Sequence, residues 1–149
     1  MSYHPEGVKW RKWDLHCHTP DDPNWEGKPD SSEREKFIHD YLQKFKDAEI
    51  EVIAITDHFF YGKDIKKSYL HDIMEKAPEY GITVIPGAEV TSKDLSGIHI
   101  LLYFPEDIDL SILQTFLIKI HPSIQREADN TVPLSSCNIQ EIFNLRENG

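Results

Sequence analysis

The chain has 149 residues, 39% of them hydrophobic and 28% charged, which is enough for one domain with a real core and too few for two comfortable ones. A formal net charge of −10 excludes a general nucleic-acid clamp, which needs basic surface, but leaves local chemistry on nucleic acid open, because bound divalent cations change the field inside a site. The longest apolar runs, such as IHILLYF (98–104), cannot span a membrane; the N-terminus lacks the apolar core of an export signal; and two cysteines, Cys17 and Cys137, make no disulfide framework, so a reduced cytoplasmic setting is expected.

The first element is a strand in WRKWDLHCHTP (10–20), ending at His16 and His18. Residues i and i+2 of a strand point to the same face, about 6.5–7 Å apart, so two imidazoles there can converge on one metal ion. Cys17 points the other way and is expected to be a packed core thiol. PDDPNWEGKPDSS (20–32) reads as a long surface loop in which Asp22 alone merits testing as a ligand. Ser32 then opens a helix, with Glu35 in capping-box position and Phe37, Ile38, Tyr41, Leu42, Phe45 and Ala48 on its inner face. EVIAIT (51–56) is a buried strand. A second helix over 64–79 turns Ile65, Tyr69, Leu70, Ile73, Met74 and Ala77 inward and stops at Gly81.

TVIPGAEVT (83–91) and GIHILLYF (97–104) are the next strands, and Asp109 caps a third helix carrying Leu110, Leu113, Phe116, Leu117 and Ile120. Residues 121–137 read as irregular; a last helix starts near Asn138, with Glu141 three residues on, and stops at Gly149. His39 and His71 fall on solvated helix faces, His4 lies in the N-terminal stretch, and Trp10, Trp13 and Trp25 are expected to pack across one end of the fold.

Strands alternating with helices predict an α/β sheet with parallel neighbours. The exception is SKDLS (92–96), too short for a parallel crossover, so the strands on either side form a hairpin. A turn centred on Asp94 places Glu89 and His99 directly opposite each other, with Cβ atoms about 4.5–5.5 Å apart.

Four features then share one character. His16 and His18 end the first strand, Asp57 and His58 follow the second, Glu89 lies late in the third, and His99 opens the returning strand. Sites in α/β sheets gather at the carboxyl ends of parallel strands, and imidazole nitrogen with carboxylate oxygen suits zinc, manganese or iron. Glu89 is placed to bridge two ions.

DLHCHT, AITDH and GAEVT…GIHILLYF, in that order, resemble the first three motif blocks of the polymerase and histidinol phosphatase (PHP) superfamily. The tryptophan-rich lead KWRKWDLHCHTP resembles, more narrowly, TrlF-type proteins, in which a PHP domain precedes a large ATPase of the SMC or AAA kind. The resemblance implies a distorted seven-stranded (β/α)7 barrel with two or three divalent ions (Mn, Zn or Fe). It also implies hydrolysis of a phosphate monoester or phosphodiester, nucleic acid or nucleotide among the candidates, by a metal-bound hydroxide. Carried over by motif, His16, His18, His58, Glu89 and His99 are metal ligands with Glu89 bridging, and Asp14 and Asp57 orient ligands.

Two departures stand out. The family usually has another His or Asp five or six residues after the second histidine, where this chain has Pro23 and Asn24, with Asp21 and Asp22 just before. The family also continues with a further histidine-bearing strand and an Asp-x-His block, whereas this chain stops at NLRENG, and His121 follows a helix. Residues 1–149 are therefore expected to be the N-terminal part of a PHP domain, truncated before its last strands and belonging to a longer protein. The open edge this leaves predicts self-association into a homo-oligomer. The competing reading is a metal-stabilised regulatory or docking module serving an ATPase region of the same parent chain, without activity of its own.

Overall fold

Two short runs rich in β-branched residues, a strand before them and a returning strand after them build a four-stranded sheet in the computed structural model, which describes residues 10–58, 64–92, 99–120 and 135–147. The strands are β1 (Lys12–Cys17), β2 (Ile50–Ile55), β3 (Thr83–Thr91) and β4 (His99–Tyr103), in the spatial order β1-β2-β3-β4. The pairs β1/β2 and β2/β3 are parallel, joined through α1 (Arg34–Asp47) and α2 (Tyr69–Lys76); β3/β4 is antiparallel, as the short connection requires. Helices α3 (Leu110–Ile120) and α4 (Ile139–Glu147) complete a mixed α/β unit. Among the described residues, no helix is long and apolar enough to cross a membrane. His4, the turn at Asp94, His121 with the irregular stretch through 134, and the final stop at Gly149 lie outside the described residues.

One face of the sheet carries the core. Cys17, Ile53, Ile55, Val84, Ala88 and Val90 close against Ile38 and Leu42 of α1, Leu70 and Ile73 of α2, Leu113 and Leu117 of α3 and Ile142 of α4. The inner faces read from helical spacing are found there, apart from Ala48, which is exposed because α1 ends at Asp47. Helix ends differ in how well their chemistry could be read. Asn138 and Glu141 form a reciprocal capping box, with both side chain to backbone N–H bonds at 2.8 Å. Asp109 accepts from the Ser111 N–H at 2.9 Å. The box expected at Ser32 does not form: residues 31–33 make a 3-10 turn, and neither it nor α1 has a side-chain cap. The expected 64–79 helix is broken at Ser68, whose hydroxyl caps α2, and it tightens into a 3-10 turn containing Pro78 before left-handed Gly81.

The other face is concave. Tyr103 on β4 donates its hydroxyl to the Leu15 carbonyl on β1 at 3.0 Å, joining the two outer strands. Across a flat four-stranded sheet those strands would lie about 14 Å apart, beyond the reach of a tyrosine, so the sheet curls. The curl turns at Gly87, where β3 passes from pairing with β2 to pairing with β4. A Cβ there would lie 2.6 Å from the Leu102 carbonyl and 3.2 Å from that of Ile55, so only glycine lets the three strands approach. The tryptophans do not pack together over one end. Trp25 meets Phe37 edge to face, whereas Trp10 and Trp13 are 91% and 57% exposed.

Candidate metal centre

A bulge in β1 aims the first two histidines. Asp14 pairs with Ile53 and Cys17 with Ile55, so three steps on β1 match two on β2. Strict alternation from Asp14 would send His16 toward the core; the extra residue sends Cys17 there instead and turns His16 and His18 to the concave side. Asp14 Oδ1 accepts from the His16 N–H at 3.3 Å across this irregularity, so it acts on the backbone and not on an imidazole. Burial, reinforced by the Asp14 charge, pushes the Cys17 thiol up to about 12, which keeps it a neutral core group.

Glu89 reaches the same place from β3. Its side chain is 2% exposed, and four imidazoles surround it. His16 Nε2 lies 2.8 Å from Oε2, His58 Nε2 3.2 Å and His18 Nε2 3.4 Å, while His99 Nδ1 contacts Oε1. Burial pushes the Glu89 carboxyl up, but His16 and His99 outweigh it and hold the group below its ordinary range. The hairpin register differs from that expected from a turn at Asp94. Thr91 is opposite His99, and Glu89 is opposite Leu101. The pairing is shifted by two residues on β4, which keeps His99 on the face of Glu89. A diagonal neighbour remains within reach of two long side chains, so the contact survives the change.

The loop between β1 and α1 supplies what the motif spacing left open. Asp22, 2% exposed, accepts from the His58 N–H at 2.8 Å; its Oδ2 lies 2.9 Å from His58 Nδ1 and 3.0 Å from His18 Nδ1. The two imidazoles and the backbone N–H groups of His58 and Asn24 hold Asp22 far below its ordinary range in spite of burial. Its neighbours do other work. Asp21 accepts from the Tyr69 N–H at the start of α2, at 2.5 Å. Asn24 is exposed and contributes only a backbone N–H to Asp22 Oδ1. Asp57 takes both the N–H and the hydroxyl of Thr19 at 2.7 Å, tying the end of β1 to the end of β2, and stands 3.7 Å from His18 Nδ1. Burial raises its pKa. On the outer side, Tyr41 of α1 donates to the His18 carbonyl at 3.1 Å.

Three overlapping groups result: His16, His18 and Glu89; His18, Asp22 and His58; His58, Glu89 and His99. Within each, the ligand atoms lie within 4.8 Å of one another. All five histidine and glutamate positions singled out in the sequence are therefore brought together, and Asp22 joins them. The donor set of imidazole nitrogens and carboxylate oxygens fits a borderline divalent ion. A second observation tests that fit. His18 Nδ1 is buried and has no hydrogen-bond partner, although Asp22 Oδ2 is only 3.0 Å away. A divalent ion accounts for two good donor atoms that sit side by side without hydrogen-bonding geometry.

No protein-family model and no curated protein matches the chain. Among solved structures it is similar to a two-domain protein from Bacteroides vulgatus, described as containing a predicted PHP-like metal-dependent phosphoesterase. The two share 16% identity with a TM-score of 0.46 over 93% of this chain and 42% of the other, so this chain spans less than half of that protein's length.

Proposed function

We propose that the chain is the N-terminal part of a PHP-type metal-dependent phosphoesterase domain, a distorted (β/α)7 barrel whose centre is held by His16, His18, Asp22, His58, Glu89 and His99. The observation that carries this reading is the buried Glu89 carboxylate ringed by four imidazoles, with Asp22 closing the far side against His18 and His58. The ordered sequence blocks that resemble the PHP superfamily supply the reaction class, and the finer likeness to TrlF-type proteins rests on the KWRKW lead alone. Bound divalent ions would supply an activated water and neutralise charge on the phosphoryl oxygens.

The residues of the chain itself do three things. Glu89, shared by two of the three groups, spaces the ligands and balances their charge. Asp22 fixes the His58 backbone and ring together. Thr19 and Asp57 lock the two strand ends from which the histidines project, so the ligands are ordered before any substrate arrives. A phosphate ester is the substrate class, and manganese, zinc or iron is the metal.

The test is turnover of p-nitrophenyl phosphate and bis(p-nitrophenyl) phosphate by the full-length protein, with manganese and with EDTA. Turnover that requires manganese and ends with EDTA is expected. Equal rates in both would contradict the reading.

A further inference from the structure

The buried side-chain polar atoms of the described residues find hydrogen-bond partners with two exceptions, His18 Nδ1 and Thr91 Oγ1. Leaving such an atom unpaired costs stability, so each needs a reason. The first has one in the metal centre. The second has none among the described residues. Thr91 is 3% exposed, and its backbone carbonyl is satisfied by the Ser135 N–H at 2.8 Å, so the isolated hydroxyl is not a by-product of a loose strand end.

Its position is informative. Thr91 is directly paired with His99 and lies two residues beyond Glu89, so all three side chains share the concave face. The order along β3 runs from Gly87 at the bend, through Glu89 in the ligand cluster, to Thr91 on the outer side. The two unpaired atoms thus belong to residues that flank Glu89, one toward β1 and one toward the strand ends.

A neutral threonine hydroxyl is a weak ligand for a borderline ion beside imidazoles and carboxylates, but it is a good donor to an oxyanion. We propose that Thr91 is a substrate-contacting residue whose hydroxyl donates to a phosphoryl oxygen of the bound ester or of product phosphate. The proposal rests on the phosphoesterase reading. The fold leaves this donor unpaired so that the substrate can take it, and the bond forms only when a phosphoryl group occupies the site.

Thr91→Val keeps the shape and removes the hydroxyl; Thr91→Ser keeps the hydroxyl. Inorganic phosphate is titrated calorimetrically into the manganese-loaded full-length protein, and thermal unfolding is followed without metal or phosphate. Wild type and Thr91→Ser are expected to bind phosphate alike, with Thr91→Val weaker by about tenfold, as for a hydrogen bond to a charged acceptor. Metal-free Thr91→Val is expected to melt at or above the wild-type temperature, since it loses only an unpaired group. Equal phosphate affinity in wild type and Thr91→Val would overturn the assignment. So would a metal-free Thr91→Val that melts clearly lower, because the hydroxyl would then serve the fold. A wild-type protein that binds neither phosphate nor manganese would instead overturn the phosphoesterase reading on which the assignment stands.

Discussion

On the helix-covered face of the sheet, Ile53, Ile55 and Val90 are at most 1% exposed and belong to an apolar cluster shared with the helices. On the concave face Glu89 is buried nearly as deeply, yet its neighbours are four imidazoles, two of them on half-exposed side chains. The same strands therefore run two different kinds of chemistry. The first face removes carbon from water, and its residues are interchangeable within limits of size. The second holds carboxylates where an unpaired charge costs several kcal/mol, so each position is tied to named partners. Both of the unpaired buried side-chain atoms among the described residues lie on this second face. Apolar burial is concentrated on one side of the sheet and the cluster of imidazoles and carboxylates on the other.

That division can be broken by substitution. Ile53→Ala, at a position with no exposure, is expected to destabilise the protein by about 2–5 kcal/mol in urea unfolding while changing the manganese affinity of the folded protein less than twofold. A large loss of affinity in the folded variant would show that the faces are not separable. Gly87→Ala is the substitution expected to damage both. Its Cβ would press on the Leu102 carbonyl, costing about 1–3 kcal/mol, and the displaced strand carries Glu89 two residues on, so manganese binding should weaken with stability.

The smallest effect expected is electrostatic and belongs to the metal-free protein. Asp22 and then Asp57, beside the ring, raise His18 to about 10 against an ordinary value near 6.5. A raised imidazole contributes stability that is fully present below about pH 6.5 and is lost as the pH rises through about 10. Asp22, depressed by the same contact, contributes above the ordinary carboxylate range and loses that contribution as the pH falls through its lowered value. Both are one interaction, counted once. Relative to His18→Gln, the wild type should lose about 1 kcal/mol between pH 6 and pH 10.5, with the imidazole titration visible by NMR. An unchanged difference across that window would mean that the concave face holds no such charge pair.

The legible parts of the molecule were those governed by period and connection length. The apolar runs at 51–56 and 83–91 became β2 and β3, the helical spacing placed Leu42, Ile73 and Leu113 in the core, and a five-residue link forced the hairpin. The convergence of His16, His18, His58, Glu89 and His99 followed from their places near strand ends. What escaped depended on single residues acting across the chain. The bulge at 14–17 has no composition signal, yet it decides which face the first two histidines take. The hairpin register did not follow from the length of the connection: Thr91, not Glu89, stands opposite His99. Asp22 stood out as the loop aspartate to test, but its partners could not be read, because they come from across the chain: His58 for Asp22 and the Tyr69 N–H for Asp21.

Calorimetric titration of manganese into the wild-type chain and its Glu89→Ala variant bears most directly on whether this cluster is a metal centre. Among the described residues, Glu89 is the one carboxylate that touches all four imidazoles, so its removal leaves two of the three ligand groups without an oxygen donor. The wild type should bind manganese measurably, and Glu89→Ala should lose most of that binding while remaining folded by circular dichroism. Equal binding by the two folded proteins would mean that Glu89 is not a ligand and would contradict the account of the concave face.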